Sequence, residues 1–206
     1  MKKTQAGFTL IEIAIVLVII GLLLGGVLKG QEMINNSKVR NTNNSMDGIA
    51  AAIYSYQDRY NALPGDDPNA LGRWGGLVVD GDGNGVIDGA YDSIDGSADE
   101  SAMLWEHLRQ AGLITGAPTA DNTAIIPPTH ALGGVFGVET VGGTGANDAT
   151  AITAGTIICL TTIEDKFGEI LDLKLDDGDG GAGDIQNTTG AYDVVNGAVD
   201  DLCRRI

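Results

Sequence analysis

The sequence predicts an α+β protein: one long N-terminal helix, then a loop-rich, acidic head with short strands. Three observations carry this. Helical spacing of apolar residues runs from about Phe8 to Tyr60, with no proline before Pro64. The whole chain holds 31 glycines and only 5% aromatics, a composition that suits a loop-rich head better than a large α/β enzyme. Charge is divided: residues 8–60 balance at zero, whereas residues 61–206 carry six basic and 24 acidic side chains, a net of −18. The 206 residues suffice for one domain plus an anchor.

The helix begins in a segment of unusual composition. Met1 to Gly7 is short and basic, with Lys2 and Lys3. Phe8 to Leu28 is a run of 21 residues whose only polar side chains are Thr9 and Glu12. A helix of that length reaches roughly 30 Å, enough to cross a bilayer. Glu12 is anomalous there, since an acid inside an apolar span costs about 2.5–3.5 kcal/mol on insertion scales. Cleavage between Gly7 and Phe8 would supply a partner, the new α-amino group of Phe8. The amine and the Glu12 carboxylate are neighbours within one helix, or meet between two parallel helices offset along their axes.

Lys2-Lys3 through Gly7, followed by Phe8-Thr9-Leu10-Ile11-Glu12 and the apolar helix, resembles the leader of type IV pilins and type II secretion pseudopilins. An ordinary signal peptide is cut after its apolar region; here the Gly-Phe junction precedes it. The resemblance implies cleavage after Gly7 by a prepilin peptidase, N-methylation of Phe8, and assembly of many copies through their N-terminal helices with Glu12 offsetting the Phe8 charge of an adjoining subunit. It implies a pilin fold, the long helix laid across a small antiparallel sheet. The parts are then a leader (1–7), a membrane or filament-core half-helix (8–28), an amphipathic half-helix (29–60) and a globular head (61–206). The implied partners are other pilin subunits in a homopolymer, the peptidase and methyltransferase, the inner-membrane assembly machinery, and the membrane before assembly. The implied location is the inner membrane, then a surface pilus, with a periplasmic pseudopilus as the alternative.

Past Leu28, Val39, Met46, Ile49, Ile53, Tyr56 and Tyr60 keep helical spacing. Gly21, Gly25, Gly26 and Gly30 weaken the first half by about 1 kcal/mol each relative to alanine. The Gly25-Gly26 pair suits either local stretching or close packing between helices. Leu63-Pro64-Gly65-Asp66-Asp67-Pro68 ends the helix with turn signals.

The head opens on an Asp-rich loop. Counting Asp80 as the first position, oxygen-bearing side chains fall at the first, third, fifth and ninth places: Asp80, Asp82, Asn84 and Asp88. Gly85 takes the sixth, where a calcium loop turns sharply, and Val86 offers its carbonyl at the seventh. The twelfth place holds Tyr91 instead of a bidentate Glu, so Asp92 or Asp95 would have to substitute. Structural Ca²⁺ is one reading; an unaided Asp-Gly and Asn-Gly surface turn is the other. Ile87 is the expected anchor of this loop in the core. A second acidic turn, Asp176 to Asp184, fits no calcium template by spacing.

Ser97-Ala98-Asp99-Glu100 resembles a capping box, ahead of a helix carrying Leu104, Trp105 and Leu108 on one face and stopping at Gly112. Val135 to Thr140 and Thr156 to Thr161 read as strands. Ile163, Phe167, Ile170 and Leu171 share a helical face over 164–173. Arg204-Arg205 reads as surface charge, available to an acidic neighbour. The basic N-terminus keeps that end cytoplasmic and sends the rest outward, where Cys159 and Cys203 would oxidise to one disulfide, worth roughly 4 kcal/mol by loop-closure entropy; two buried thiols are the alternative. His107 and His130 stand apart with no cysteine cluster, so they predict hydrogen-bonded or solvated histidines and no zinc site. Recurrent hydrolase, nucleotide and metalloprotease motifs do not occur; a membrane-anchored hydrolase is the distant rival to a structural subunit. A head this acidic predicts no direct nucleic-acid binding.

Overall fold

The computed structural model describes residues 9–76, 78–95, 99–118, 125–146 and 152–206. Contacts divide the chain into two units, Met1–Lys38 and Val39–Ile206. The helix α1, Leu10–Tyr60, enters both and is continuous through Gly25 and Gly26. In the first unit the helix is bare: every described side chain from Thr9 to Lys29 is exposed. It is the one helix among the described residues long and apolar enough to cross a membrane.

In the second unit the same helix becomes one-sided. Val39, Thr42, Met46, Ile49, Ile53 and Tyr56 are buried at intervals of three and four, the stripe expected of a helix laid on a core. It ends at Asn61, whose φ of 57° is the left-handed cap that asparagine tolerates, and whose amide closes on the Gln57 carbonyl at 2.8 Å.

The core partner is an antiparallel four-stranded sheet, order β1-β2-β4-β3. The strands are β1 Phe136–Thr140, β2 Thr156–Glu164, β3 Ile185–Asn187 and β4 Val199–Arg205. Phe136, Val138, Ile158, Leu160, Ile185 and Leu202 share a core with α1. Alternate residues Ile157, Cys159 and Cys203 face the other way and pack with Tyr91 and Ile152. Covering both faces explains why Ile157 to Leu160 is an unbroken apolar run.

Among the described residues of this unit are three short helices: α2 Ala70–Trp74, α3 Glu100–Gln110 and α4 Asp165–Leu175. α3 buries Leu104, Trp105 and Leu108 in the main core as expected. Its C-terminus is a Schellman turn: the Leu113 amide returns to Leu108 and that of Gly112 to Arg109, each at 3.0 Å. Gly112 sits at φ 70°, which a side chain would strain.

Several expectations are corrected. The capping residue of α3 is Asp99, and Ser97 lies outside the described residues. The Asp99 carboxylate accepts from the Ser93 hydroxyl, and Glu100 reaches the acidic loop. β2 runs on to Glu164 and takes Ile163 from the expected helix, which starts at Asp165. The paired arginines are engaged within the chain: Arg204 meets Asp47 at 2.7 Å and Arg205 meets Asp184.

Candidate functional site

The N-terminal motif enters the described residues at Thr9; Gly7 and Phe8 lie outside them. Thr9 caps α1. Its amide and its hydroxyl both donate to one Glu12 carboxylate oxygen at 2.8 Å, and the Glu12 amide donates back to the Thr9 hydroxyl at 3.3 Å. This reciprocal pattern is a capping box. It fixes where the Glu12 carboxylate stands in a single subunit, at the first turn of a helix whose flanks are Leu10 at 89% and Ile11 at 67% exposure. The arrangement can neutralise a cation that arrives beside it.

The Asp-rich loop is built on contacts outside its own sequence. Asp66, 3% exposed, accepts the Asn84 amide at 3.0 Å and the Gly85 amide at 2.8 Å. Glu100 accepts the amides of Asp82 at 2.9 Å and Asp88 at 3.1 Å. Asp82 accepts the Asn84 amide at 2.9 Å, while the Asn84 carboxamide donates to Asp82 and Asp88. Gly81 is pressed so close to the preceding turn that a Cβ would lie 2.4 Å from the Asp66 backbone. Ile87 is buried at 0% exposure, the expected anchor.

The result brings Asp66, Asp82 and Glu100 together, each offering a carboxylate oxygen within 4.8 Å of the others. Burial pushes the Asp66 carboxyl above its usual range against the pull of the amides it accepts. Burial also raises Glu100, reinforced by the charges of Asp66 and Asp82. Such a trio favours either a proton or a cation. A cleft of about 510 Å³ opens beside it, lined by Asp80, Asp82, Asp88, Asp99, Glu100 and Met103 among others.

The other residues singled out from the sequence are placed as follows. Asp80 accepts the Leu71 amide at 2.7 Å. Asn84 accepts the Val86 amide at 2.7 Å. Asp88 accepts the Thr144 amide at 2.6 Å. Asp92 is exposed and outside the trio. Tyr91, at the template's twelfth place, is buried, and its hydroxyl donates to Asp201 at 2.7 Å. Sequence reasoning missed Asp66 and Glu100 because they come from the preceding turn and from α3. The signal available was the paired acids of Pro64-Gly65-Asp66-Asp67-Pro68.

A second trio, Asp172, Asp176 and Asp177, joins the end of α4 to the second acidic turn. Asp172 is raised by burial, and it accepts from the Tyr192 hydroxyl at 2.8 Å. Cys159 and Cys203 stand opposite each other on β2 and β4 and are joined in a disulfide. Both histidines are held as neutral rings. Gly65 donates to His107 Nδ1 at 2.9 Å, so Nε2 carries the proton toward the Val79 carbonyl at 3.0 Å. His130 is held alike between the Leu132 amide and the Thr161 carbonyl. Burial lowers His107 to about 4 and lowers His130 as well.

Residues 2–28 match the family model described as the prokaryotic N-terminal methylation motif. That motif is the hallmark of the prepilins of type IV pilins and pseudopilins, and it implies processing by a prepilin peptidase. No curated protein and no solved structure matches the chain.

Proposed function

We propose that this chain is a structural subunit of a type IV pilus-like filament. It is made as a prepilin, anchored in the inner membrane by residues 8–28 with its head outside the cytoplasm. It is cut after Gly7, methylated on Phe8, and assembled through its N-terminal helix. The observation that carries this reading is the methylation motif over residues 2–28, joined to an apolar helix with no side chain buried from Thr9 to Lys29. A bare surface of that kind needs lipid or other helices to cover it. In the assembled state Glu12 leaves its Thr9 cap and pairs with the Phe8 amine of an adjoining copy. The role is one of assembly, without catalysis and without direct nucleic-acid contact.

Mass spectrometry of the mature N-terminus, with electron microscopy of sheared filaments, tests the proposal. A chain beginning at methylated Phe8 in surface filaments is expected. Retention of Met1–Gly7 would overturn it. Mature protein confined to the periplasm, with export lost in its absence, would move the chain to the pseudopilins.

We propose in addition that the Asp66, Asp82 and Glu100 trio takes Ca²⁺ as a structural ion. Asp80 and Asp88 line the same cleft and Asn84 bonds to Asp82 and Asp88, whereas Asp92 is exposed and left out; the Val86 carbonyl is the further ligand that the loop spacing offers. Three carboxylates in one place, two of them raised by burial, are stabilised by a divalent cation. At a hundredfold excess over Kd the ion adds about 2.7 kcal/mol, roughly 5–10 °C for a chain of this size. A thermal midpoint unmoved by chelator would sink the idea.

A further inference from the structure

We propose that Asn196-Gly197, on the turn between β3 and β4, is a site of covalent self-modification with water as co-reactant, and that the fold protects the other Asn-Gly pair, Asn84-Gly85, from the same reaction. Asn-Gly is reactive because glycine has no side chain to shield its nitrogen. That nitrogen attacks the carbonyl carbon of the asparagine side chain. A new C–N bond forms, the bond to the carboxamide NH2 breaks, and ammonia leaves with the proton that the glycine nitrogen gives up. Water then opens the five-membered succinimide at either carbonyl, leaving aspartate or isoaspartate. In sum NH2 is exchanged for OH, and a carboxylate appears.

The two pairs differ in what holds the reacting atoms. The Gly85 amide, the nucleophile of the first pair, donates to Asp66 at 2.8 Å, and Asp66 is a buried residue from a separate segment. The Asn84 side-chain oxygen accepts the Val86 amide at 2.7 Å, and its NH2 donates to Asp82 at 2.9 Å and Asp88 at 3.2 Å. Attack requires these contacts to release together, a local opening that a folded chain visits rarely. At the second pair both residues are exposed. Among the described residues neither the Gly197 amide nor the Asn196 side-chain oxygen has a hydrogen-bond partner. The contacts made there lie inside one turn. The Asn196 NH2 donates to the two Asp193 carboxylate oxygens at 3.1 and 2.8 Å, and its backbone amide donates to Asp193 at 3.1 Å.

The reaction changes what this turn can hold. A carboxylate at position 196 has no NH2 to donate, and it faces the Asp193 carboxylate with like charge. The turn also ties the β3–β4 hairpin to the start of α4. The Asp193 amide donates to the Asp165 side chain. The Asp165 amide donates to the Ala198 carbonyl at 3.0 Å, and the Ala198 amide to the Asp193 carbonyl at 3.3 Å. Modification loosens this tie and adds a negative charge to a head that already carries −18.

The test holds the full chain in detergent micelles in warm, mildly alkaline buffer and follows its peptides by mass spectrometry, with isoaspartate and aspartate separated by chromatography. In the folded chain Asn196 is expected to convert faster than Asn84 by roughly tenfold or more, and in urea the two rates are expected to converge. An Asn196 that stays intact in the folded chain overturns the site. Equal rates in the folded chain, or the same gap in urea, overturn the protection assigned to the fold. Asn196→Asp is expected to raise amide exchange several-fold over residues 193–198; unchanged exchange overturns the effect given to the turn.

Discussion

Two side chains, Glu12 and His107, show how a single residue is settled by what it can bond. Among the described residues Glu12 is held by Thr9, through two contacts of 2.8 Å, a cap worth about 1 kcal/mol. A methylated amine from a neighbour, as proposed, would keep its charge and bring a full opposite charge to the carboxylate in apolar surroundings, where such attraction is stronger than in water. Glu12→Ala is therefore expected to insert normally, because it removes an acid from the apolar span, and to yield few filaments on shearing. Normal filament yield from that variant contradicts the pairing. His107 sets a pH limit. Burial holds its ring at about 4 against an ordinary 6.5. The unfolded chain binds that proton below pH 6.5 and the folded chain does not, so the stability is complete above about 6.5 and is lost as pH falls to about 4. Its size is about 3 kcal/mol. The raised carboxyls of Asp66 and Glu100 act with the opposite sign, easing as they take up protons. Thermal melts across pH 4–7 are expected to fall more steeply for the native chain than for His107→Gln; equal slopes would contradict this. Glu12 was legible in the sequence because an acid among apolar residues is conspicuous. The latch at His107 was not, since its partners Gly65 and Val79 are 42 and 28 residues away.

Elements whose signals are local were readable, and those set by distant partners were not. α1 could be followed to Tyr60 by spacing and by the proline-glycine turn, and α3 could be ended at Gly112 by its cap. β4 has the sequence Val-Asp-Asp-Leu-Cys-Arg-Arg, whose paired arginines read as surface charge. It is a strand because those charges find partners: Asp201 binds Tyr91, Arg204 binds Asp47 and Arg205 binds Asp184. β3 has three residues and no pattern to read. The acidic trio was half legible, with Asp82 in the loop that drew attention and Asp66 and Glu100 supplied by other segments. The pairing of β2 with β4 shifts register between Leu160 and Ile163, where Thr162 is held at φ 57°, and this irregularity gives a prediction at this scale. A left-handed non-glycine residue costs about 1–2 kcal/mol, while glycine returns about 0.4–1 kcal/mol of that through unfolded-state entropy. Thr162 is exposed, so little packing is lost. Thr162→Gly is expected to stabilise the head by up to about 1 kcal/mol in denaturant titration. A destabilised variant would mean that the Thr162 side chain contributes something beyond its backbone.

At the scale of the head, the Asp-rich segments close both ends of the sheet. On the β1 side Thr140 donates to the Ile87 carbonyl at 3.1 Å, and Glu139 accepts the Tyr91 amide at 2.9 Å. On the β3 side Asn187 donates to the Gly180 carbonyl at 2.8 Å, and Ile185 donates to Asp176 at 3.1 Å. Covered, charged edges resist strand-to-strand association, so in the proposed filament the bare half of α1 would be the route by which copies meet. The same charge opposes that meeting. Each head carries a net −18 over residues 61–206, and most of its bases are already engaged: Arg73, Arg109, Lys166, Arg204 and Arg205 each pair with an acid of the same chain. Like-charged heads brought side by side repel over about 30 Å at 0.01 M salt and about 8 Å at 0.15 M. Assembly of purified mature subunits is therefore expected to rise steeply between those concentrations of NaCl, followed by light scattering and by counting filaments. Ca²⁺ matched to the same ionic strength separates screening from binding. If it does no more than NaCl, the heads need only a shorter Debye length; if it acts at far lower concentration, the Asp66, Asp82 and Glu100 trio is being filled and part of the charge removed outright. Assembly that is indifferent to salt, or that weakens as salt rises, would mean that the heads do not face one another in the polymer.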